Sequence, residues 1–521
     1  MDRGIGSWVG RHADATPQRV ALAEGSAELT WAGFEGRTSR LARALLGLGV
    51  RRGDRVGVLL ANSIAFMEAT FAIAKLGAIM VPVNTRLAAP EVGYILADSG
   101  ADVLIAHDVL GAVAGAAVTQ PGVRVRHHLV VRAWWAHPGD EGGGGGIDYE
   151  QALLAEEPRL LDMDVDTRDL HGIMYTSGTT GRPKGAMLTH ANALANARNN
   201  LALGRGLRAS DLTVTVAPMF HIGGLGVHSL PLVYVGGTNV IQPTFVPDQL
   251  LAAIEARRAT VQFLVPAMWA AVARCGDLDR YDLSSLELAL SGGAPCPLPV
   301  IEAFHNRGIT FQEGFGMTET APSVSVLDPE HIKSKAGSIG RALPDVEARL
   351  VDDNDRTVPV GAVGELVVRG DNITPGYWML PEATAEAWRG GWFHTGDLGQ
   401  IDDEGYITLV DRKKDMIISG GENVYPIEVE QILFRYPGVR EAAIFGLPAE
   451  RWGETVVAAV AWESAPDDPV AVIDWCRQRL AHFKCPTRVE VVDELPRNAT
   501  GKVLKTVLRQ TFGGTGSAVS R

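Results

Sequence analysis

Tyr175-Thr-Ser-Gly-Thr-Thr-Gly-Arg-Pro-Lys-Gly-Ala186 decides how this chain is read. It directly follows a short β-rich run, Gly172-Ile-Met-Tyr175, and so reads as the loop beyond the end of a strand. Glycines at 178, 181 and 185 let backbone N–H groups turn inward. The hydroxyls of Thr176, Ser177, Thr179 and Thr180 add donors, and Lys184 adds a positive charge. Such a loop suits a polyphosphate. It is not the P-loop of NTPases: G-x-x-x-x-G-K-[ST] fails, since Pro183 precedes Lys184 and Gly185 follows it. A surface Gly/Ser/Thr turn has the same composition, and only the whole twelve-residue string argues against that.

Outward from this loop the same rhythm repeats. Residues 55–60, 78–83 and 101–106 upstream, and 212–216, 238–241, 261–265 and 286–290 downstream, read as strands. Helical segments separate them: 63–76 with Asn62 or Ser63 as its cap, 90–98, 247–258 and 298–307. Alternation of this kind, from about Leu29 to Gly316, predicts an α/β fold of doubly wound parallel sheets covered on both faces. Its chemistry belongs in the loops beyond the strands' carboxyl ends.

Near Gly337 the texture changes. Short strands at 346–351, 364–369 and 405–410, separated by Asp-Asn-Asp, Pro-Val-Gly and Asp-Glu-Gly turns, predict a small β-rich lobe. After Asp411-Arg-Lys-Lys-Asp415 comes a third pattern: helix 426–435, strands 440–445 and 455–462, helix 469–480 and strand 489–492. That is a compact α+β domain. The run Gly142–Gly146 reads as a flexible surface loop, and residues 513–521 as a disordered Gly/Ser-rich tail.

Composition bounds the function. The chain has 521 residues, 48 Lys+Arg against 61 Asp+Glu, and a formal charge of −13, so no basic surplus exists to displace phosphate counterions and a general nucleic-acid binder is excluded. With 46% apolar and only 21% charged residues, disorder is excluded as well. Cys275, Cys296, Cys476 and Cys485 show no C-x-x-C pairing and read as reduced, mostly structural thiols. The polar start is not a signal peptide, and no stretch approaches the ~18 apolar residues of a membrane span. A cytoplasmic protein is expected, with peripheral membrane contact left open. The oligomeric state is not readable; a homodimer is compatible with the chain.

The loop 175–186 resembles the signature loop of the adenylate-forming superfamily, which contains acyl-CoA synthetases, aryl-CoA ligases, luciferases and peptide-synthetase adenylation domains. Further elements follow in that superfamily's order: Pro218-Met-Phe-His-Ile222, Ser291-Gly-Gly-Ala-Pro295, Gly314-Phe-Gly-Met-Thr-Glu319, Thr395-Gly-Asp397, Asp411-Arg-Lys-Lys414 and Pro496-Arg-Asn-Ala-Thr-Gly-Lys502. Through Asp415-Met-Ile-Ile-Ser-Gly-Gly-Glu-Asn-Val-Tyr-Pro426 the chain is most similar to actinobacterial fatty acyl-CoA ligases. The resemblance spans residues 5–512.

The resemblance implies a reaction in two steps, with ATP, Mg²⁺ and coenzyme A: a carboxylate attacks the α-phosphorus of ATP, then a thiol displaces AMP. A medium- or long-chain fatty acid or an aromatic acid is the implied substrate. The alternative acceptor is a carrier-protein thiol or another nucleophile. An N-terminal domain 1–411 would hold ATP and the acid. A hinge at 412–416, centred on Lys414, would let domain 417–512 swing over it.

Residue by residue, the resemblance makes Glu319 the magnesium ligand with Thr176 as a second contact, and places the phosphates on Thr176–Gly181 (Ser177, Gly178, Thr179 and Thr180 between them) and Lys184. Phe315, where many relatives have Tyr, would stack on adenine. Gly293, Ala294 and Pro295 would form the opposite wall, with Gly316, Met317 and Thr318 alongside. Asp397 and Arg412 would reach the ribose, and Arg412 the phosphate too. Lys502 would reach the reacting carboxylate and α-phosphate, and Ser419, Gly420 and Gly421 would admit the pantetheine arm. His221 would gate the thiol tunnel or touch the carboxylate. His221, Gly223, Gly224, Ser291, Gly292, Glu313 and Gly314 would line the acyl pocket, with Glu313, in place of a common Gln, able to receive an amine or phenol. Gly314 stands where malonate-specific relatives carry Arg, and Ile418 where plant-type aryl ligases commonly carry Lys.

Overall fold

The computed structural model describes residues 3–135, 145–159, 161, 163–176, 182–201, 204–275, 278–413, 415–419, 422–449, 452–464, 468–497 and 503–513, with Arg412 described through its backbone. The chain forms two compact units, Met1–Glu347 with Val368–Phe393, and Ala348–Val367 with His394–Arg521. The boundary falls inside the strands Val346–Val351 and Gly364–Gly370 and near the start of Trp392–Ile401.

In the first unit, among the described residues, seven strands make one sheet. Their order is Ile147–Asp148, His127–Val131, Val103–His107, Arg55–Leu59, Ile79–Pro82, Leu170–Thr176, Lys184–Thr189. All neighbours run parallel except the last pair. The parallel strands are short apolar runs because helices cover them. Ile64–Lys75, for example, is capped by the Ser63 side chain, which accepts from Phe66 N at 3.2 Å. Trp31, Phe34, Phe66 and Phe71 are wholly buried in the core, each contributing about 2–3 kcal/mol in apolar area removed from water.

A second sheet places Val261–Leu264, Leu288–Gly292 and Thr310–Gly316 side by side and parallel, then Ser323–Val326 and Arg341–Ala342 antiparallel. A third joins Leu212–Thr215, Thr238–Ile241 and Val20–Glu24 in parallel, closed by the antiparallel Ala27–Thr30. The alternation therefore begins at Val20, ahead of the expected Leu29, and the sheets are parallel at heart with antiparallel edges.

In the second unit, residues 397–401 pair antiparallel with residues 407–412. Beyond them Glu422–Val424, Ile417–Ser419, Gly453–Trp462 and Val439–Ala449 form an antiparallel sheet, with Arg488–Val491 added parallel to Gly453–Trp462. Helices Pro426–Leu433 and Pro469–Arg477 bring Val429, Leu433, Val472 and Cys476 into its core. All four cysteines are free thiols, as expected. Among the described residues no helix is long and apolar enough to cross a membrane. The expected tail beyond Gly513 and most of the Gly142–Gly146 run lie outside the described residues.

One element of the first unit inverts the usual polarity. Helix His190–Leu201 buries Asn192, Asn196, Asn199 and Asn200 along one face. Asn192 Nδ2 donates to the carbonyls of Asp371 (2.7 Å) and Ile373 (2.9 Å). Asn196 Nδ2 donates to Gly226 O at 2.7 Å, and its Oδ1 accepts from Ser323 N at 3.3 Å. These amides complete backbone groups of irregular segments that no ladder reaches. Asn196→Ala would strand both Gly226 O and Ser323 N in the interior. We expect a loss of about 2–4 kcal/mol, seen as a lower urea midpoint, with Asn192→Ala comparable and the exposed Arg198→Ala near neutral.

Candidate active site

The antiparallel pair Leu170–Thr176 and Lys184–Thr189 sets Thr176 opposite Lys184, so the phosphate-type loop is the connection of a hairpin. Ser177, Gly178, Thr179, Thr180 and Gly181 lie outside the described residues. Lys184 Nζ lies 5.4 Å from the centre of the Tyr377 ring, a cation–π distance. Tyr377 in turn donates its hydroxyl to Glu319 Oε1 at 2.9 Å. Glu319 is buried on the short 3₁₀ turn Thr318–Thr320, and its carbonyl accepts from Thr374 N at 2.7 Å. Asn372 Nδ2 braces that turn by donating to Thr320 O and Ser323 O, both at 2.8 Å. Lys184 and Glu319, far apart in sequence, are thus gathered round one tyrosine, with Thr176 opposite Lys184 in the hairpin.

Tyr377 carries no signal in the sequence. It belongs to no motif, and only the bridge between Ala186 and Tyr377 brings it to the hairpin. Asn62, which the sequence pattern marks only as a cap, has a different task. It donates from Nδ2 to Ala217 O (3.0 Å) and accepts at Oδ1 from Met219 N (2.8 Å), fixing the segment that leads to His221.

Strand pairing sorts the residues expected around the acid. Phe263 stands opposite Leu290, Ser291 opposite Glu313 and Gly292 opposite Gly314. Directly paired residues share a face and the next pair takes the other. Gly292, Gly314, Leu290 and Phe263 therefore share one face, while Ser291, Glu313 and Phe315 take the opposite one. A side-chain carbon at Gly292 would sit 3.5 Å from Phe263 Cε2, and one at Gly223 3.4 Å from Phe263 Cε1. Gly223 and Gly292 thus leave a narrow slot, no wider than one methyl group, beside the Phe263 ring. Gly224 does not open on it: a side chain there would collide with the carbonyls of Ala217 and Pro218.

On the opposite face, Glu313 Oε1 accepts from Cys296 N at 2.7 Å, which ties down the loop after Gly292. Gly293 has φ 91°, a conformation that favours glycine, and a side-chain carbon there would meet nothing nearer than Val265 Cγ1 at 3.9 Å. With the exposed Ala294 and Pro295 it makes a low shelf, while the half-buried Phe315 ends the neighbouring strand and leads into Gly316 and Met317.

Two histidines lie nearby. His221 is the cap residue of the short helix Ile222–Gly224; burial, aided by the Arg86 charge, pushes it down to about 4, and its Nε2 has no hydrogen-bond partner. His228 lies in the π-helical turn Leu225–Ser229, and burial lowers it to about 4 as well. Both are neutral at pH 7.

In the second unit, Asp397 is buried, its N donates to Thr395 Oγ1 at 3.1 Å, and its register partner is Arg412. Ser419 ends the strand Ile417–Ser419, where Ile418 is exposed. Lys414, Gly420, Gly421 and Lys502 lie outside the described residues, and Arg497 bridges to Val503 on either side of the last of them.

The family of AMP-binding enzymes matches residues 9–378, and the AMP-binding enzyme C-terminal domain matches residues 428–502. This chain belongs to the AMP-binding enzyme family. It is 42% identical to a feruloyl-CoA synthase of Amycolatopsis sp, over 98% of this chain and 100% of that one. To the long-chain-fatty-acid–CoA ligase FadD13 of Mycobacterium tuberculosis it is 36% identical, over 98% and 99%. The crystal structure of the anthranilate CoA ligase AuaEII in complex with anthranoyl-AMP superposes with a TM-score of 0.89 at 30% identity, covering 98% of this chain and 97% of that one. This AMP-binding enzyme is accordingly an AMP-forming acid–thiol ligase that uses ATP, Mg²⁺ and CoA. The residues expected to hold the ion would fit it, since the Glu319 carboxylate and Thr176 hydroxyl are hard oxygens, the kind Mg²⁺ takes beside water and phosphate.

The Glu313–Cys296 contact carries a pH signature. Burial raises Glu313 from an ordinary 4.5 to about 7, with the Cys296 N–H opposing the rise. A raised folded value means that this group's stabilisation is complete below pH 4.5 and is lost as pH climbs through about 7. Glu313→Gln keeps an oxygen for Cys296 N and removes the titration. The wild type should lose up to about 3 kcal/mol between pH 5 and 8 that the glutamine variant retains, read from Tm against pH.

Proposed function

We propose that the acid this ligase activates is aromatic, and that it works in the cytoplasm. The observation that carries the reading is the likeness, at 42% identity, to an enzyme named for an aryl acid, against 36% for one named for long-chain fatty acids; the narrow slot beside Phe263 is compatible with it.

The roles follow the chemistry. Lys184, Thr176 and the loop 177–181 hold the phosphates against the approaching carboxylate, and Glu319, steadied by Tyr377, holds Mg²⁺, which when bound draws off phosphate charge. Phe315 and the shelf Gly293–Pro295 take the two faces of adenine, and Asp397 with Arg412 takes the ribose. Lys502 contacts the carboxylate and α-phosphate, offsetting their repulsion as the acyl oxygen bonds to phosphorus and pyrophosphate leaves. Domain 417–512 then swings on Lys414 within the hinge 412–416, over domain 1–411, and exchanges Lys502 for Ser419, Gly420 and Gly421. The thiol sulfur bonds to the acyl carbon, the thiol proton is released, and AMP departs. His221, neutral, meets the carboxylate or thiol as a hydrogen-bonding group and contributes no charge.

Pyrophosphate release measured on benzoates, cinnamates and fatty acids of graded length tests the reading. An aryl acid should exceed every fatty acid by tenfold or more in kcat/KM; a fatty acid leading the panel would sink it. Lys502→Ala should abolish adenylation, by about a thousandfold, and spare thiolysis of supplied acyl-AMP. Equal loss in both half-reactions would rule Lys502 out as the group that serves adenylation alone.

A further inference from the structure

Tyr377 touches two opposite charges, each in a different way. Lys184 Nζ lies 5.4 Å from its ring centre, and its hydroxyl donates to Glu319 Oε1 at 2.9 Å. Among the described residues Lys184 makes no ion pair, although a carboxylate is reached from the same ring. A direct ammonium–carboxylate contact is stronger than a cation on an aromatic face, so the two groups left to themselves would close on one another. The ring between them is fixed by backbone. Ala186 bridges to Tyr377, Trp378 N donates to Gly185 O at 2.8 Å, and Met187 N donates to Gly376 O at 3.0 Å. Residues 376–378 thus run along the strand that carries Lys184. Tyr377 N donates to Thr384 Oγ1 at 2.9 Å, and this close approach needs the glycine before it: Gly376 has φ 143°, and a side-chain carbon there would fall 2.3 Å from Thr384 Cγ2.

We propose that Tyr377 is a positioning residue that spaces Lys184 from Glu319, keeping amine and carboxylate available to the ATP phosphates and Mg²⁺ instead of to each other. This deepens the roles given above to Lys184 and Glu319, and rests on them. A closed pair would neutralise the carboxylate and turn the ammonium toward protein, and every turnover would begin by breaking it; a site already open meets its ligands without that step. The phenol suits the task because its two contacts are unlike. Its π-face attracts a cation, while its hydroxyl donates to an anion. Both contacts are weaker than those a phosphate or a metal ion makes, so the ligands displace them. Phenylalanine at 377 would keep the spacing and lose the hydroxyl, whereas an aliphatic residue would lose both.

The test titrates ATP into the metal-free enzyme in EDTA and reads Kd by calorimetry. Lys184→Gln should weaken binding by about tenfold. Tyr377→Leu should weaken it by about as much, because Glu319 then captures the lysine. Adding Glu319→Gln to Tyr377→Leu should restore Kd to within about threefold of Glu319→Gln alone, a rescue that a merely structural loss at 377 would not show. Tyr377→Phe, which keeps the ring, should stay within about twofold of the wild type. An unchanged Kd in Tyr377→Leu, or a weakened one that Glu319→Gln does not rescue, would overturn the proposal. A second readout holds even if Tyr377→Leu does not fold: acetylation of Lys184 by acetic anhydride in the ATP-free enzyme, followed by mass spectrometry. A lysine already spaced from Glu319 should label at rates within about twofold in the wild type and in Glu319→Gln. A larger acceleration in Glu319→Gln would mean that the two were paired, and would end the proposal. If Lys184→Gln binds metal-free ATP as the wild type does, the phosphate role of Lys184 falls and the inference with it. If Lys184→Gln weakens binding and Tyr377→Leu does not, the inference falls alone.

Discussion

Gly292 stands opposite Gly314 in a parallel pairing, and the chemistry of the first unit is arranged around that register. Side chains alternate with period two, so a pairing that aims two glycines and Phe263 at one face must send Ser291, Glu313 and Phe315 to the other. A slip of one residue would push the Glu313 carboxylate into the slot and leave glycine in an aromatic core. What prevents the slip lies on the far face. Trp269, Phe304 and Phe311 pack with ring centres 4.8, 5.1 and 5.8 Å apart, and Trp269 Nε1 donates to Leu290 O at 3.1 Å. The aromatic cluster thus fixes the position of an opening on the opposite side of the sheet.

The same register explains Glu313. Its partner, Cys296 N, begins the return from the shelf Gly293–Pro295, so the acid serves the loop and not the slot. A carboxyl in that place is costly when charged, yet a backbone N–H is a donor it can use in either protonation state. The Asn192–Asn196–Asn199–Asn200 face works in a similar way, with buried amides completing backbone that bends out of regular structure next to the turn carrying Glu319. The irregular segments of this unit are held by polar side chains from regular ones.

How much of this the sequence displayed depends on the kind of signal. Short apolar runs between helical segments located eight of the parallel strands within two residues, Thr238–Ile241 at both ends, because burial on two faces demands continuous hydrophobicity, but Val20–Glu24, His127–Val131 and Thr310–Gly316 were missed. Lys184–Thr189 was not visible as a strand: Lys, Gly and Ala are poor strand formers, and pairing with Leu170–Thr176 imposes the conformation. The chemical motifs were legible as strings of residue types, but their facing was not. Thr310-Phe-Gln-Glu-Gly-Phe-Gly316 has polar and small residues on both parities, so nothing in it says that Gly314 and Glu313 look opposite ways. Tyr377 was silent for a related reason: it acquires meaning from Glu319, a neighbour remote in sequence.

The formal charge of −13 is a poor guide to a reaction that joins two anions, and burial explains why. The histidines beside the slot could have been cations, but desolvation holds both His221 and His228 neutral at physiological pH. A fixed positive charge at the slot would bind the acid as tightly before reaction as during it, and uniform binding of that sort does not lower the barrier. On the proposed reading, leaving the slot neutral transfers the electrostatic work to Lys184, Arg412 and Lys502. Those charges would act where negative charge concentrates at phosphorus, and a lysine on a movable domain could be withdrawn once the adenylate exists. On that reading, neutral recognition of the acid and charged recognition of the phosphates would be separate tasks, so that acid specificity could change at Gly223 or Gly314 without disturbing the Lys184–Tyr377–Glu319 cluster.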